Sequence, residues 1–495
     1  MNLFSPLNRL AFKVAFGIGV LTILCKFSAS LPLLALIPIG CLLIMRRKYG
    51  AAFGIYLVIL LSSFINPLLM PKGGLVGNGT RMGFFLMSIL LACSGMGRSS
   101  RRGLPLGLML LYLAVAAMSS MNGWAPSVSY MKLLFFTTFL FSIWFGVRNF
   151  HGRPQEIYVF RGWLLGIALF IVFGSLATLP FPSVCYYTGL KHGAGFGADY
   201  DVALANEIYQ RITETNSGIT LFSGVMYHSQ ALSPTLAVIA AWTLCDMLFV
   251  ERNFNVPHLA VVLLSVPMLY MTRSRLALLL ILVTGTLVFV YLLQVIRIPT
   301  RIRSRATGAM IVGIFIFIGL AVYFEVKNET MSRWLRKTEN IGGDTRSLRE
   351  AVTETRQGAW EVMRNDFRRN PVLGMGFQVT VLTRELVKYS RGIIFSAPIE
   401  KGLLPAVVVG ETGIIGAVAF SAFLLSFYWM CSVKRLRTTI TLFTVLIATN
   451  FGEATFFSPG NTGGFIWIVC VAGGYVIDLS VLEGGLRPEI ERMRR

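Results

Sequence analysis

Apolar and polar residues along this chain come in long blocks rather than in the short alternations of a soluble fold. Apolar windows of membrane-crossing length lie near 9 to 27, 30 to 45, 50 to 70, 82 to 97, 103 to 121, 129 to 147 and 162 to 180. After a polar gap they resume near 230 to 250, 256 to 272, 276 to 295, 307 to 325, 404 to 430, 438 to 455 and 463 to 479. The pattern predicts an all-α polytopic integral membrane protein with about fourteen transmembrane helices within residues 1–479. The first window runs on from Ala11 without a small-residue cleavage site, so it reads as its own signal.

Two polar stretches interrupt the blocks, residues 181–229 and 327–403, and a basic tail follows at 480–495. In the second stretch Ser347-Leu348-Arg349-Glu350 has the form of a capping box, and Asn370-Pro371 has the form of a helix stop. Between them Val352, Ala359, Trp360, Met363 and Phe367 fall on one helical face, with Glu350, Glu354 and Glu361 opposite. An amphipathic helix is predicted there. Arg356 lies within its apolar stripe, near Arg349, where a cation needs an anionic partner. Two readings stand: Arg356 snorkels to lipid headgroups, or it faces a phosphate.

Composition narrows the class. The 495 residues are 55% hydrophobic and 14% charged, which excludes an ordinary soluble domain. The net charge of +22 would suit nucleic acid, but basic residues concentrate on cytoplasmic loops for topological reasons, so no nucleic acid is expected. Cys25, Cys41, Cys93, Cys245 and Cys470 fall in apolar windows and Cys185 in a polar outer loop; no disulfide framework or metal spacing emerges.

Basic clusters set the orientation. Arg46 to Lys48, Arg98 to Arg102, Arg148 with Arg153, Arg301 to Arg305 and Lys434-Arg435 fall between alternate windows and mark the cytoplasmic face. Both termini are then cytoplasmic, and residues 181–229 and 327–403 emerge on the opposite side. Thr272-Arg273-Ser274-Arg275 is the exception, since it sets two arginines on the outer face, where positive charge is sparse.

These residues resemble the O-antigen ligase and polymerase family of bacterial membrane glycosyltransferases. The resemblance covers roughly residues 220 to 420 and rests on Thr272-x-Ser274-Arg275, Arg356-x-x-x-Trp360, Asn370-Pro371-Val372-Leu373-Gly374-Met375-Gly376 and Glu411-Thr412-Gly413-Ile414-Ile415-Gly416. Tyr227-His228-Ser229-Gln230 also resembles a family segment. It implies a GT-C-like helical fold in the bacterial inner membrane with a periplasmic active site. The implied donor is a glycan on undecaprenyl diphosphate, and the implied acceptor is a sugar hydroxyl of a glycan or glycolipid. Arg275 and Arg356 would then bind the diphosphate, with Arg273 and Arg349 nearby.

The chain departs from that family at one place. The ligases carry a histidine and an asparagine shortly before the Glu-x-Gly segment, whereas this chain reads Ala397-Pro398-Ile399-Glu400-Lys401-Gly402. Glu400 is the nearest replacement as general base by position, or an ion-pair partner of Lys401; His228 and Glu411 are the other candidates. Glu453 and Glu411, at outer span ends, need partners and read as supporting groups. Asp199-Tyr200-Asp201 resembles a metal site of nucleotide-sugar enzymes, but a glycine-rich outer turn accounts for it, so no metal or cofactor is assigned. The missing histidine favours a polymerase of repeat units over an O-antigen ligase. A flippase of lipid-linked glycans is the alternative from another class, although internal repeats and midplane charges are not visible.

Overall fold

The computed structural model describes residues 5–71, 74–97, 103–187, 221–251, 255–272, 360–379, 403–450 and 455–482. Among them eight helices are long and apolar enough to cross a membrane: Pro6–Phe27, Val76–Met96, Leu104–Met121, Pro126–Phe150, Pro154–Ala177, Ser229–Glu251, Leu404–Val433 and Thr462–Leu482. Four shorter apolar helices accompany them: Pro32–Met45, Tyr49–Phe64, Val256–Met271 and Arg437–Thr449. The chain is thus an all-helical polytopic membrane protein. The windows near 276 to 295 and 307 to 325 lie outside the described residues, so the described helices account for the other windows and not for all fourteen.

Burial sorts the helices into two layers. Tyr49–Phe64 is apolar around its whole circumference and nearly every residue is buried, as are most of those in Pro154–Ala177, Ser229–Glu251 and Thr462–Leu482. A helix hydrophobic all round belongs in an interior. Pro6–Phe27 and Leu404–Val433 form part of the rim and turn Phe16, Phe27, Leu425 and Trp429 outward, a surface that only lipid would cover at low free-energy cost. Close approach inside is bought with small residues: an added side chain at Gly50 would strike the Glu156 backbone, and one at Gly166 would strike Ala11.

Aromatic side chains bind the interior to one end of the bundle. Phe457 packs against Tyr112, Phe136, Phe377 and Phe420 with ring centroids 5.2 to 5.6 Å apart, and the contacts run on through Phe456 to Trp467. Edge-on and tilted pairs of this kind add about 0.5–1.5 kcal/mol each beyond their burial. Trp467 also donates its indole hydrogen to Phe456 O at 2.8 Å.

The two ends differ in character. At the basic end, Gly50 N donates to the carboxylate of Glu156 at 2.7 Å, and Arg153 reaches Arg47 O. There too the carboxylate of Asp478 accepts from the amides of Thr438 and Thr439 and from Thr439 Oγ1, capping helix Arg437–Thr449 from a neighbouring helix. At the loop end, Tyr227 N donates to Phe64 O and Asn66 N to Val225 O. There Tyr186–Tyr187 and Leu221–Phe222 pair as a short antiparallel ladder that closes the base of the first polar stretch. Cys185, expected in a polar loop, is instead fully buried beneath this ladder, where Ser223 and Gly224 amides donate to its carbonyl. The ladder's strands leave the bundle directly beside Cys185, which is why its thiol is buried rather than exposed.

Candidate functional site at the loop end

The site begins with a helix stop. Residues 360–369 are helical and the helix ends before Asn370-Pro371, where the proline cannot continue it. Asn370 then turns the chain, its Oδ1 accepting from Leu373 N at 3.1 Å and its carbonyl from Gly374 N at 2.9 Å. The predicted start near Ser347 lies outside the described residues.

From that turn, residues 370–377 dock into a break in helix Leu404–Val433. Gly413 has φ +62° and ψ −163°, which interrupts the helix and releases main-chain groups on both sides. Several of these groups find partners in the loop. Met375 N donates to Gly410 O and Gly376 N to Glu411 O, both at 3.1 Å, while Ile414 N donates to Pro371 O at 2.9 Å. A membrane helix tolerates such a break where protein supplies the missing hydrogen bonds, as it does here. Gly374, at φ +74°, lies so close to Glu411 that any side chain would collide with its backbone. The Asn370 to Gly376 and Glu411 to Gly416 segments, read separately in the sequence, are therefore one structural unit.

Helices Leu104–Met121 and Pro126–Gly146 and the turn between them hold the other side of the loop. Ser119 Oγ donates to Glu411 O and accepts from Gly376 N, so one hydroxyl ties both halves of the unit. Ser129 Oγ donates to Phe377 O at 2.8 Å, and buried Lys132 donates from Nζ to Gln378 O at 2.9 Å. Trp124 N donates to Met375 O at 3.1 Å, its indole Nε1 donates to Asp366 Oδ1 at 3.0 Å, and the Arg369 guanidinium lies over its ring.

The inward face of helix 360–369 differs from the predicted stripe. Met363 packs against Gly410 and Phe367 is half-buried, but Trp360 is 48% exposed and Asp366 is only 2% exposed. The helix is rolled so that the carboxylate of Asp366 meets Trp124. Asp366 was not singled out from the sequence, because a lone acid beside apolar positions reads as solvated; its signal was its place one turn before Asn370.

Of the candidate catalytic residues, Glu411 is 1% exposed and sits on the turn of helix just before the Gly413 break. His228 is the cap of helix Ser229–Asp246: its Nδ1 accepts from Gln230 N at 2.8 Å and its ring packs beside Tyr227. That bond leaves Nε2 carrying the proton in the neutral tautomer, and the lone pair a base would use is already engaged. Thr272 ends helix Val256–Met271, which packs along Ser229–Asp246. Arg273, Arg275, Arg349, Arg356, Glu400, Lys401 and Glu453 lie outside the described residues, as do Asp199 and Asp201. Among the described residues no group of three His, Cys, Asp or Glu side chains is arranged to hold a metal ion.

A second polar cluster, toward the basic end, was missed in the sequence. Arg161 Nε and Nη2 donate to the two Asp246 oxygens at 2.7 and 3.0 Å, Nη2 also reaches Glu251 at 2.7 Å, and His258 Nε2 lies 2.9 Å from Asp246 Oδ2. Arg161, Asp246 and His258 are all buried. Nearby, Asn8 and Asn255 exchange reciprocal amide hydrogen bonds at 2.8 and 3.0 Å, joining the first helix to the head of Val256–Met271. These groups staple four helices together and stand apart from the docked loop.

No protein-family model matches the chain, and no curated protein matches it in sequence.

Proposed function

We propose that the chain is a bacterial inner-membrane glycosyltransferase that extends a polysaccharide, taking its donor glycan from undecaprenyl diphosphate at the periplasmic end of the bundle. What supports the reading is the docking of the Asn370 to Gly376 loop into the Gly413 break. Segments that resemble the O-antigen ligase and polymerase family only piecewise are joined by reciprocal main-chain bonds.

In the proposed reaction an acceptor sugar hydroxyl attacks the anomeric carbon of the donor glycan. The bond from that carbon to the diphosphate oxygen breaks, undecaprenyl diphosphate leaves, and the hydroxyl proton passes to a base. Arg275 and Arg356, flanked by Arg273 and Arg349, take the diphosphate, because paired guanidinium bonds suit phosphate oxygens and stabilise the charge that develops on departure. Glu400 is the preferred base, since His228 already spends its Nδ1 lone pair on the Gln230 amide. Glu411, buried at the helix break, is assigned to holding the site's shape.

Purified protein in nanodiscs, supplied with repeat units on undecaprenyl diphosphate, tests the proposal. Longer lipid-linked chains and free undecaprenyl diphosphate are expected, with both lost in Arg275→Ala and Arg356→Ala variants of normal abundance. Transfer only to an added glycolipid acceptor would make the protein a ligase. Donor that changes sides with its covalent structure intact would make it a flippase.

A further inference from the structure

The basic end contains a cleft of about 610 Å³ that the proposed reaction does not use. Its rim carries Arg148, His151 and Arg153 from the turn before helix Pro154–Ala177, and Lys434 from the end of Leu404–Val433. Its walls include Trp144, Phe427 and Met430, and among the described residues that line it there is no carboxylate. Cations from two distant parts of the chain thus converge on one concavity whose deeper surface is apolar.

The positive-inside tendency accounts for basic residues at this end, but it does not require them to converge. Arg46 and Lys48 show the difference, being exposed at the same end and outside the cleft. Nor can the neighbouring helix supply the anion site, because the first amides of Arg437–Thr449 are already taken by Asp478. Side-chain charge must do the binding. The same Leu404–Val433 helix turns Trp429 and Val433 outward beside the cleft-lining Met430 and Cys431, which gives a bound amphiphile an apolar surface for its tails.

We infer that this cleft binds the phosphate headgroup of an anionic glycerophospholipid from the cytoplasmic leaflet, with Arg148 and Lys434 as its principal contacts. Basic pockets between membrane helices on that side suit such headgroups. The assignment does not depend on the catalytic proposal, which concerns the opposite end.

Delipidated full-length protein in neutral detergent, titrated with short-chain phosphatidylglycerol and separately with short-chain phosphatidylcholine, provides the test through its thermal unfolding midpoint. Phosphatidylglycerol should raise the midpoint at concentrations where phosphatidylcholine does not. The double substitution Arg148→Gln, Lys434→Gln should demand about tenfold more lipid or beyond, at roughly 1 kcal/mol per basic group near a charged surface. Arg46→Gln with Lys48→Gln should respond as the parent does, and Arg148→Lys with Lys434→Arg should retain binding. Should the double variant fold poorly, exposed Lys434→Gln alone should give an intermediate shift. Equal responses to the two lipids, or a cleft variant that titrates like the parent, would overturn the inference. So would an equal shift from inorganic phosphate, since the cleft would then be a site for soluble anions.

Discussion

The indole nitrogen of Trp124 donates to the carboxylate of Asp366 at 3.0 Å, joining the turn before helix Pro126–Gly146 to a helix 242 residues further on. The bond reports directly on whether the loop at 370–377 is docked. Trp124→Phe keeps a ring beneath Arg369 but removes the donor, so it should destabilise the fold by about 1–3 kcal/mol, the cost of a buried acceptor losing a partner. Hydrogen exchange across 360–379 should rise while exchange in Pro154–Ala177 stays unchanged. Unaltered exchange in the loop would mean that Trp124 does not hold it.

Glycine substitutions separate shape from flexibility. Gly374→Ala and Gly413→Ala each place a methyl group against backbone at a positive φ, so each should cost more than about 1 kcal/mol and undock the loop. Gly410→Ala is the control. Its added carbon meets Met363 only at 3.4 Å within regular helix, so the unfolding midpoint should move little. A Gly410 variant as damaged as the other two would show that any volume added here is harmful, whatever the backbone conformation.

The buried ion network predicts that a second substitution rescues the first. Arg161→Met leaves Asp246 buried without its guanidinium and should destabilise by about 3–5 kcal/mol. Arg161→Met combined with Asp246→Leu removes both charges and should recover much of that loss, because apolar packing replaces a pair that was costly to desolvate. Chemical denaturation in mixed micelles measures both. A double variant no better than the single would place the value of the network in its contacts with Glu251 and His258.

His228 poses a choice between capping and catalysis. As a cap it can be replaced by Asp or Asn, which favour that position, whereas His228→Ala should lose roughly 1 kcal/mol. In the proposed reaction His228→Asn should therefore stay active and Glu400→Gln should lose roughly 10² or more in rate. Activity lost in His228→Asn at unchanged stability would transfer the role of base to the histidine.

Much of the helical layout was legible because a span has to be long and apolar, and that requirement is written residue by residue. The end of helix 360–369 was legible for a similarly local reason, the proline at 371. Main-chain bonds between residues 370–376 and 410–414 carry almost no such signature; only glycines at 374 and 413 hint at them, and glycine does not name its partner. Arg161 escaped because the apolar window was drawn to begin at 162, which left the cation in a loop on paper. Asp246 and His258 fell inside windows, and the partners a buried carboxylate needs would have pointed back to Arg161. The roll of helix 360–369 could not be read from its own residues, since Trp124, which sets it, belongs to a distant turn.

The Gly413 break also bears on the order in which the protein can be made. The carbonyls of Gly410 and Glu411 are synthesised about thirty-five residues after the loop that satisfies them, and exposed to lipid alone each would cost several kcal/mol. Until the later span arrives the loop can seat only on the side of Ser119, Trp124, Ser129 and Lys132, and that span can settle only as it meets the loop. Chains truncated before residue 404 should keep the loop's bonds to Trp124, Ser129 and Lys132 but lose those to Gly410, Glu411 and Ile414, which would leave the loop held on one side and make it a ready target for quality-control proteases.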